Sequence, residues 1–554
     1  MPNTVTPTSA ENGAVKSKIW TSHKYSWTEV PALWFIAGVV RFWIRLRDSI
    51  VRTGPFLWSV PIPCIKHADR NFSLVEVIFV ILTLASIVIF GIVTCVYHML
   101  DDEVEGTGVV AMWPTAITFA LASRNSLVTL LLGIPFERQL VWHKFFGWVT
   151  IAFGLIHGWL ATWGPEQDRE DDDFPSGWVF QGAMMGLVLT SLVPIRRKLW
   201  NVFYVFHLVL IATTIVAGVI HEANLILAGV LLWAVDLLIR YLYMATLAYP
   251  HKCEAARLPA NVVRLTFEKG KRFKYSPGQY VFIMVPKVNI FEWHPFSISS
   301  APQADKVSLH IRVLGNWSKS LHDVITSKTG EAITTFIEGP YGAPMLDIAS
   351  DRYKLFLLIS GGIGITPMQS ICNYLLHEHE KEGRPMKKIW FVWSCADKYM
   401  VSAAFEHDRQ WAGQLNRLPT SFQPDTIERI ETDKRLLARS KDKSVFDSTI
   451  SDTSSGKGAE SILHTEFYLT RARKAEDYEG ANIHPHLQQH VKFGRPDIAV
   501  ILMTMRNYAL LCGEKRVAVL TCGPEPLIND VRIMSAKESK DGVNFDFHHE
   551  LFEF

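Results

Sequence analysis

Residues 141–159 read VWHKFFGWVTIAFGLIHGW, and residues 206–221 read FHLVLIATTIVAGVIH. The first stretch holds His143 and His157, the second His207 and His221, each pair 14 positions apart. At about 100° per residue a helix returns after 14 steps to within roughly 40° of its start, so both imidazoles of a pair share one face. At about 1.5 Å per residue they stand roughly 21 Å apart along the axis. Two such helices side by side would stack two pairs of imidazoles, one near each face of a bilayer. That is the geometry for two bis-histidine b-type haems, with all four histidines as metal ligands. One histidine in an apolar helix is ordinarily a hydrogen-bonded packing residue. Two pairs at one spacing, inside lipid where polar groups are costly, point instead to function.

The segments around these stretches are apolar over membrane length. We expect six spans, at about 74–98, 109–132, 141–163, 178–194, 200–221 and 223–246, each able to cross about 30 Å of hydrocarbon with some tilt. Arg41, Arg45, Arg47, Arg52, Lys66 and Arg70 precede the first span, and Arg196, Arg197 and Lys198 follow the fourth. The loop Asp101-Asp102-Glu103-Val104-Glu105 has no cation, and GPEQDREDDDFPSG between spans three and four has one Arg among six acids. The bias of Lys and Arg places both termini in the cytosol and the acidic loops outside. Spans three and five then run parallel, which pairs His143 with His207 near the cytosol and His157 with His221 near the outside. Arg124 interrupts the second span; it could pair with a haem propionate or snorkel to the headgroups. Trp27–Arg47 reads as an interfacial helix, because its three Arg would otherwise fall in or beside the hydrocarbon.

The formal charge of +2 gives no pull towards nucleic acid. The seven cysteines form no C-x-x-C motif, so neither a disulfide scaffold nor a zinc site is suggested. Residues 1–18 lack the charged-then-apolar pattern of a cleaved leader, so the first span is expected to direct insertion.

From about 254 the texture changes to short alternating runs: NVVRLTFEK, QYVFIMVP, KVSLHIRVL and ITTFIEGPYG. They predict a small antiparallel β-barrel over 250–346. It carries SPGQY (276–280), His294-Pro295-Phe296-Ser297-Ile298-Ser299-Ser300 and HIRVLGNWS (310–318). Arg312 can meet a pyrophosphate with two hydrogen bonds, and Gly315 lets the backbone approach it. Beyond 350, the buried strand KLFLLI runs into Ser360-Gly361-Gly362-Ile363-Gly364-Ile365-Thr366-Pro367, then a helix, then the strand IWFVWSC. Thr366 suits a helix N-cap and Pro367 the first turn. This βαβ unit aims a helix N-terminus at phosphate, although it is not the G-x-G-x-x-G fingerprint. A later strand ends at Cys522-Gly523-Pro524, at the sheet edge where ligands bind in open α/β folds. Residues 420–462 are polar and short of apolar side chains, and read as a disordered insertion in the 350–554 domain.

In order, these pieces resemble the ferric reductase and NADPH oxidase superfamily of transmembrane flavocytochromes, over roughly 74–554. The marks are the four histidines, HPFSISS, HIRVLGNWS, EGPYG, GGIGITP, TCGPEP and the terminal aromatic. The resemblance implies a multi-domain membrane protein: a cytosolic N-terminal segment (1–71), a six-helix haem-binding bundle (72–247), and a ferredoxin-reductase-like module of β-barrel and α/β parallel sheet. It implies that His294, Pro295, Phe296, Ser297, Ser299, Ser300, Arg312, Gly315 and Ser318 hold FAD. Gly361, Gly362, Gly364, Thr366, Pro367, Cys522, Gly523 and Pro524 would hold the nicotinamide nucleotide, Cys522 beside its reacting end. Gly494-Arg495-Pro496 resembles the motif whose Arg meets the 2′-phosphate of NADPH, and Phe554 the aromatic that covers the flavin. One departure stands out: Trp393-Ser394-Cys395-Ala396-Asp397-Lys398 lacks the Arg that oxidases often carry at position 396, so NADH stays open beside NADPH.

The implied reaction passes a hydride from NADPH to FAD, then single electrons through the inner and outer haems to an external acceptor. Ferric iron or another oxidised metal is the preferred acceptor, because the second histidine pair keeps the 14-residue spacing of metalloreductases. A superoxide-producing oxidase is the alternative, and a histidine-lined channel with a nucleotide sensor a remoter one. The resemblance implies the plasma membrane, and leaves open an accessory protein or an oligomer.

Overall fold

The computed structural model describes residues 74–98, 103–132, 134–163, 174–241, 252–270, 273–326, 330–342, 348–349, 351–405, 462–472 and 490–550. Trp27–Arg47, the acidic loop 164–173, residues 420–461 and Phe554 lie outside the described residues.

The first half is helical: α1 (Leu74–His98), α2 (Glu103–Leu121), α3 (Leu127–Leu132), α4 (Phe136–Trp163), α5 (Phe174–Thr190), α6 (Val193–Lys198), α7 (Trp200–Ile220) and α8 (Ile226–Leu238). Among the described residues, α4 and the stretch Val202–Ile220 are long and apolar enough to cross a membrane by length and composition. Large apolar side chains point outward along the helices, with Leu82 64%, Val205 57% and Leu231 63% exposed. Patches of that size are ordinarily covered, here by lipid. Hydroxyls within the helices bond back to their own turn: Thr115 to Ala111 O, Thr118 to Pro114 O and Thr190 to Gly186 O. Each spends its donor internally where no water is at hand.

The expected second span, 109–132, is broken. Helix α2 starts earlier, at Glu103, and stops at Leu121, and α3 follows after a turn. The cause is Asp236, whose carboxylate accepts the backbone N–H groups of Arg124 and Asn125 at 2.9 Å each and holds the turn open. The expected fourth span also shifts, to Phe174–Thr190, because Pro194 starts the separate short helix α6. His221 is the C-cap of α7, its N–H on Ala217 O, and not an interior residue.

The second half begins with seven strands and a helix: β1 (Lys252–Leu258), β2 (Val262–Glu268), β3 (Tyr280–Met284), β4 (His294–Ser297), β5 (Lys306–Arg312), α9 (Asn316–Val324), β6 (Glu331–Thr334) and β7 (Phe336–Tyr341). They form two antiparallel sheets, ordered β5-β2-β1-β6 and β4-β3-β7. Val263, Leu265, Ile283, Ile298, Leu309 and Ile337 fill the space between them. The alternating pattern that predicts the barrel is this inward set.

The last domain comprises β8 (Leu355–Gly361), α10 (Ile365–Lys381), β9 (Lys388–Cys395), α11 (Tyr399–Phe405), β10 (Leu463–Leu469), β11 (Val491–Phe493), α12 (Ile498–Leu511), β12 (Arg516–Cys522), α13 (Glu525–Glu538) and β13 (Asn544–Glu550). Its six strands are parallel, in the order β11-β10-β9-β8-β12-β13. Phe356 and Leu358 of β8 pack with α10, whereas Leu355, Leu357 and Ile359 pack with α12, so the strand is apolar on both faces. The chain leaves β8 in one direction and returns to β12 on its other side. That switch point, at the carboxyl ends of the strands, is where such sheets bind ligands.

Candidate functional site

In the helical half the geometry starts from the histidines. His143 Nδ1 lies 2.9 Å from Thr118 O. A carbonyl only accepts, so Nδ1 carries the proton and Nε2 keeps its lone pair for a metal. His157 is oriented likewise by Thr107 Oγ1, 2.9 Å from its Nδ1. Metal-bound histidines are held in this way by a partner on the second ring nitrogen. The rings of His157 and His221 have their centroids 6.1 Å apart. Two imidazoles on opposite sides of one metal, each bonded at about 2 Å, sit roughly this far apart. His207 stacks near Phe203, at 5.2 Å, with Ser191 Oγ 3.5 Å from Nδ1. The residues present fit haem.

The room for the outer pair comes from two glycines. A Cβ on Gly108 would stand 2.9 Å from His157 Cε1, and one on Gly177 would stand 2.7 Å from His221 Cε1. Gly108, Gly177, Thr107 and Thr118 escape a reading of the sequence, because nothing marks which glycine or threonine of one helix meets the histidine of another.

The barrel adjoins this half through α4. Phe136, Leu140 and His143 share one face of α4, at i, i+4 and i+7. Phe136 joins Tyr280, Phe282 and Tyr341 in one apolar cluster, its ring 6.5 Å from Phe282. In the β3–β4 register, Tyr280 faces Ser297 and Phe282 faces Pro295. The His294–Ser297 motif is therefore one strand from the aromatic cluster, and the cluster about two helical turns from His143. Tyr280 OH donates to Glu137 Oε2 at 3.0 Å. Burial raises the Tyr280 phenol well above its ordinary range, and Glu137 adds to the rise, so it stays a donor.

Within the motif, His294 Nε2 lies 3.1 Å from Glu292 Oε2, and its ring lies 4.3 Å from that of Trp317. Burial pulls the imidazole below its ordinary value, against the opposing pull of Glu292. Several expected ligand side chains are spent inside the fold. Ser299 Oγ donates to Ser308 O, Ser300 Oγ accepts from Ser308 N, and Ser318 Oγ accepts from the N–H of Leu314 and Gly315. They shape the strands and the α9 turn that present the backbone. At Gly315 a Cβ would meet nothing within 4 Å, which leaves space beside the turn.

The two nucleotide motifs meet at the switch point. A Cβ on Gly364 would fall 2.5 Å from Cys522 O and 3.0 Å from its Sγ, and one on Gly361 would fall 2.7 Å from Pro524 Cδ. Gly523, in turn, sits against Gly361 N. Gly362 has φ +56°, a left-handed turn that favours glycine, and a Cβ there would stand 3.8 Å from Arg312 Nη1 of the barrel. Ser370 Oγ donates across the same seam to Ser300 O. Arg312 and the Gly361–Gly364 turn thus face one crevice.

Here the structure corrects one expectation: Thr366 is not the N-cap. Residues 362–364 form a 3₁₀ turn, Gly364 is the N-cap of α10, and Thr366 Oγ1 bonds back to Ile363 O, with Pro367 following inside the helix. Burial raises the Cys522 thiol far above its ordinary value, and Glu550 adds to this, so it is a neutral contact at the edge of the crevice and not a thiolate. Arg495 is exposed after β11, two strands from β9.

Three family models match the chain. A ferric reductase like transmembrane component covers residues 107–218, an FAD-binding domain 249–345 and a ferric reductase NAD binding domain 353–536. The chain is 28% identical over 480 residues to a superoxide-generating NADPH oxidase heavy chain of Dictyostelium discoideum, covering 76% of this chain and 82% of that one. It is 32% identical over 299 residues to ferric reduction oxidase 8, mitochondrial, of Arabidopsis thaliana, covering 49% and 40%. A ferredoxin NADP+ reductase from Neisseria gonorrhoeae, solved with FAD and NADP, aligns at 10% identity and a TM-score of 0.32, over 54% of this chain and 98% of that one. The chain spans about half the length of several curated relatives it matches.

Proposed function

Because the chain belongs, by these three domains, to the superfamily of ferric reductases and NADPH oxidases, we propose that it carries electrons from cytosolic NADPH across a membrane to an external acceptor. Three features support this reading. They are the approach of Arg312 to Gly362, the aromatic cluster that joins the barrel to Phe136 of α4, and the histidines that α4 and α7 carry. FAD, which Arg312 and residues 294–297 would hold, would supply the change from hydride to single-electron chemistry, and two b-type haems, which the four histidines would hold, would supply one-electron transfer. The chain's own residues do the rest. Arg312 and the α10 N-terminus bind phosphate. The Thr118 carbonyl fixes the His143 tautomer, and the Thr107 hydroxyl orients the His157 ring. Six spans drawn from α1 to α8 cross the bilayer, with both termini in the cytosol and the plasma membrane as the site. Arg495 reads the 2′-phosphate, and NADH remains a weaker donor because position 396 is Ala.

Ferric iron held in a chelate, or another oxidised metal, is the proposed acceptor, on the equal spacing of the two histidine pairs. Dioxygen is the second reading, favoured by the extent of the match to the Dictyostelium oxidase heavy chain. Vesicles containing the chain and given NADPH separate the two. Reduction of a ferric chelate that persists with superoxide dismutase present supports the metal. If that reduction disappears with the dismutase, dioxygen is the acceptor. A reduced-minus-oxidised spectrum without a b-type haem signal would sink both readings and leave the channel.

A further inference from the structure

The seam between the barrel and the helices is closed by charge as well as by aromatic packing. Glu338, fully buried on β7, accepts from Arg124 Nη1 at 3.0 and 3.1 Å, from Arg240 Nε at 2.6 Å and from Tyr341 OH at 2.6 Å. Asp236 accepts the backbone N–H groups of Arg124 and Asn125 and the Asn125 Nδ2, all at 2.9 Å, with Arg240 Nη1 at 3.6 Å. Asn125 Nδ2 also lies 3.3 Å from Tyr341 OH. The Arg124 guanidinium rests on Phe282, 3.5 Å from the ring centroid. Two cations and two carboxylates therefore cancel in one buried cluster, drawn from the α2–α3 turn, the end of α8 and the barrel.

Burying such a cluster is expensive, and apolar residues of similar volume would hold the two halves about as strongly. What the charges add is direction. Hydrogen bonds between a guanidinium and a carboxylate are made in one relative placement, whereas apolar faces can slide. The placement matters here because β7 pairs with β3, β3 with β4, and Phe282 touches Phe136 on the His143 face of α4.

We propose that Glu338 is a positioning residue: it docks the barrel on the helical half in the one register that sets the gap between residues 294–297 and His143. Its consequence for electron passage rests on the function proposed above; the docking itself does not.

The test uses the full chain with FAD and haem bound, comparing wild type with Glu338→Gln. Hydrogen exchange at the Arg124 and Asn125 amides, which bond to Asp236, is expected to accelerate at least about tenfold, because the α2–α3 turn loses the charged Arg124–Glu338 tether that holds it on the barrel. The Tyr280–Met284 amides, bonded within the barrel, should keep their rates. NADPH oxidation with ferricyanide as soluble acceptor should stay within about twofold, while haem reduction by NADPH slows at least about tenfold. The proposal is overturned if exchange and haem reduction both stay at wild-type rates. It is equally overturned if ferricyanide reduction falls in step with haem reduction, since Glu338 would then act on the flavin site. Should the Gln variant fail to retain flavin, Asn125→Ala removes two bonds of the cluster at constant charge. It should slow haem reduction by about threefold, and no slowing overturns the proposal. A wild-type protein whose haem NADPH does not reduce defeats the proposed function, and the exchange result still decides the docking.

Discussion

The helical half and the nucleotide-binding domain place their chemistry by opposite means. In the helices, side chains carry it: four imidazoles set by helical periodicity, each needing a second residue to hold its ring. In the parallel sheet, backbone carries it: glycines at strand ends bring Gly361, Gly364 and Gly523 against Cys522 and Pro524. A metal demands lone pairs at fixed distances, which side chains supply. A phosphate accepts many N–H groups at once, which a turn and a helix N-terminus supply without any side chain. Side-chain motifs can therefore be found by spacing, while a backbone site shows itself only as an absence of side chains.

The sharpest way to break this contrast is His157→Ala. On the function proposed above, it should remove one of two haems, lower the haem-to-flavin ratio by half and abolish reduction of the external acceptor. Reduction of a soluble acceptor by NADPH should continue. If far-side reduction survives, the His157–His221 pair is a packing contact.

The counterpart in the sheet is Gly364→Val. Its Cβ would overlap Cys522 O, which is backbone and cannot swing aside. Nucleotide affinity, read by titration with NADP+, should fall about tenfold or more, with a destabilisation on the order of 1–3 kcal/mol. Haem content should not change. A variant with wild-type affinity would show that the Gly turn is not the phosphate cradle.

The smallest effect concerns a surface of the sheet that neither site uses. Burial alone would raise the Glu466 carboxyl, but His464 and Lys492 hold it down at about 2. A carboxyl lowered in the folded state stabilises at pH above its unfolded value of about 4.3 and loses that contribution as pH falls towards about 2. Glu466→Gln should therefore lower the unfolding midpoint by a few degrees at pH 7, and the difference from wild type should shrink below about pH 4. A difference that stays constant from pH 7 to 3 would contradict this origin.

Much of the molecule is legible in its sequence. The histidine spacing, the alternating runs of the barrel and the apolar β8 and β12 each depend on residues within one element, and the structure has the corresponding helices and strands. The roles of Ser299, Ser300 and Ser318 are less legible. Their hydroxyls look like ligands in a motif, but each closes a turn or strand pair of its own backbone. Arg124 is harder still. Its sequence setting suggests a haem propionate or the headgroups, whereas its partner Glu338 lies 214 positions away.

The sequence alone determined what is periodic or local: two levels of imidazoles on apolar helices, an alternating barrel, and glycine turns at the ends of buried strands. Those follow from helix and strand geometry and from which backbone angles a residue can adopt, and such rules act over a few residues. Only the tertiary structure decided which second-nitrogen partners hold His143 and His157, that Arg312 approaches Gly362, and that Asp236 breaks a span to hold a turn. It also decided that Glu338 gathers two arginines, one from the α2–α3 turn and one from beyond the end of α8. Those pairings join residues about 25 to 214 positions apart, at a cost in burial that only the completed packing offsets.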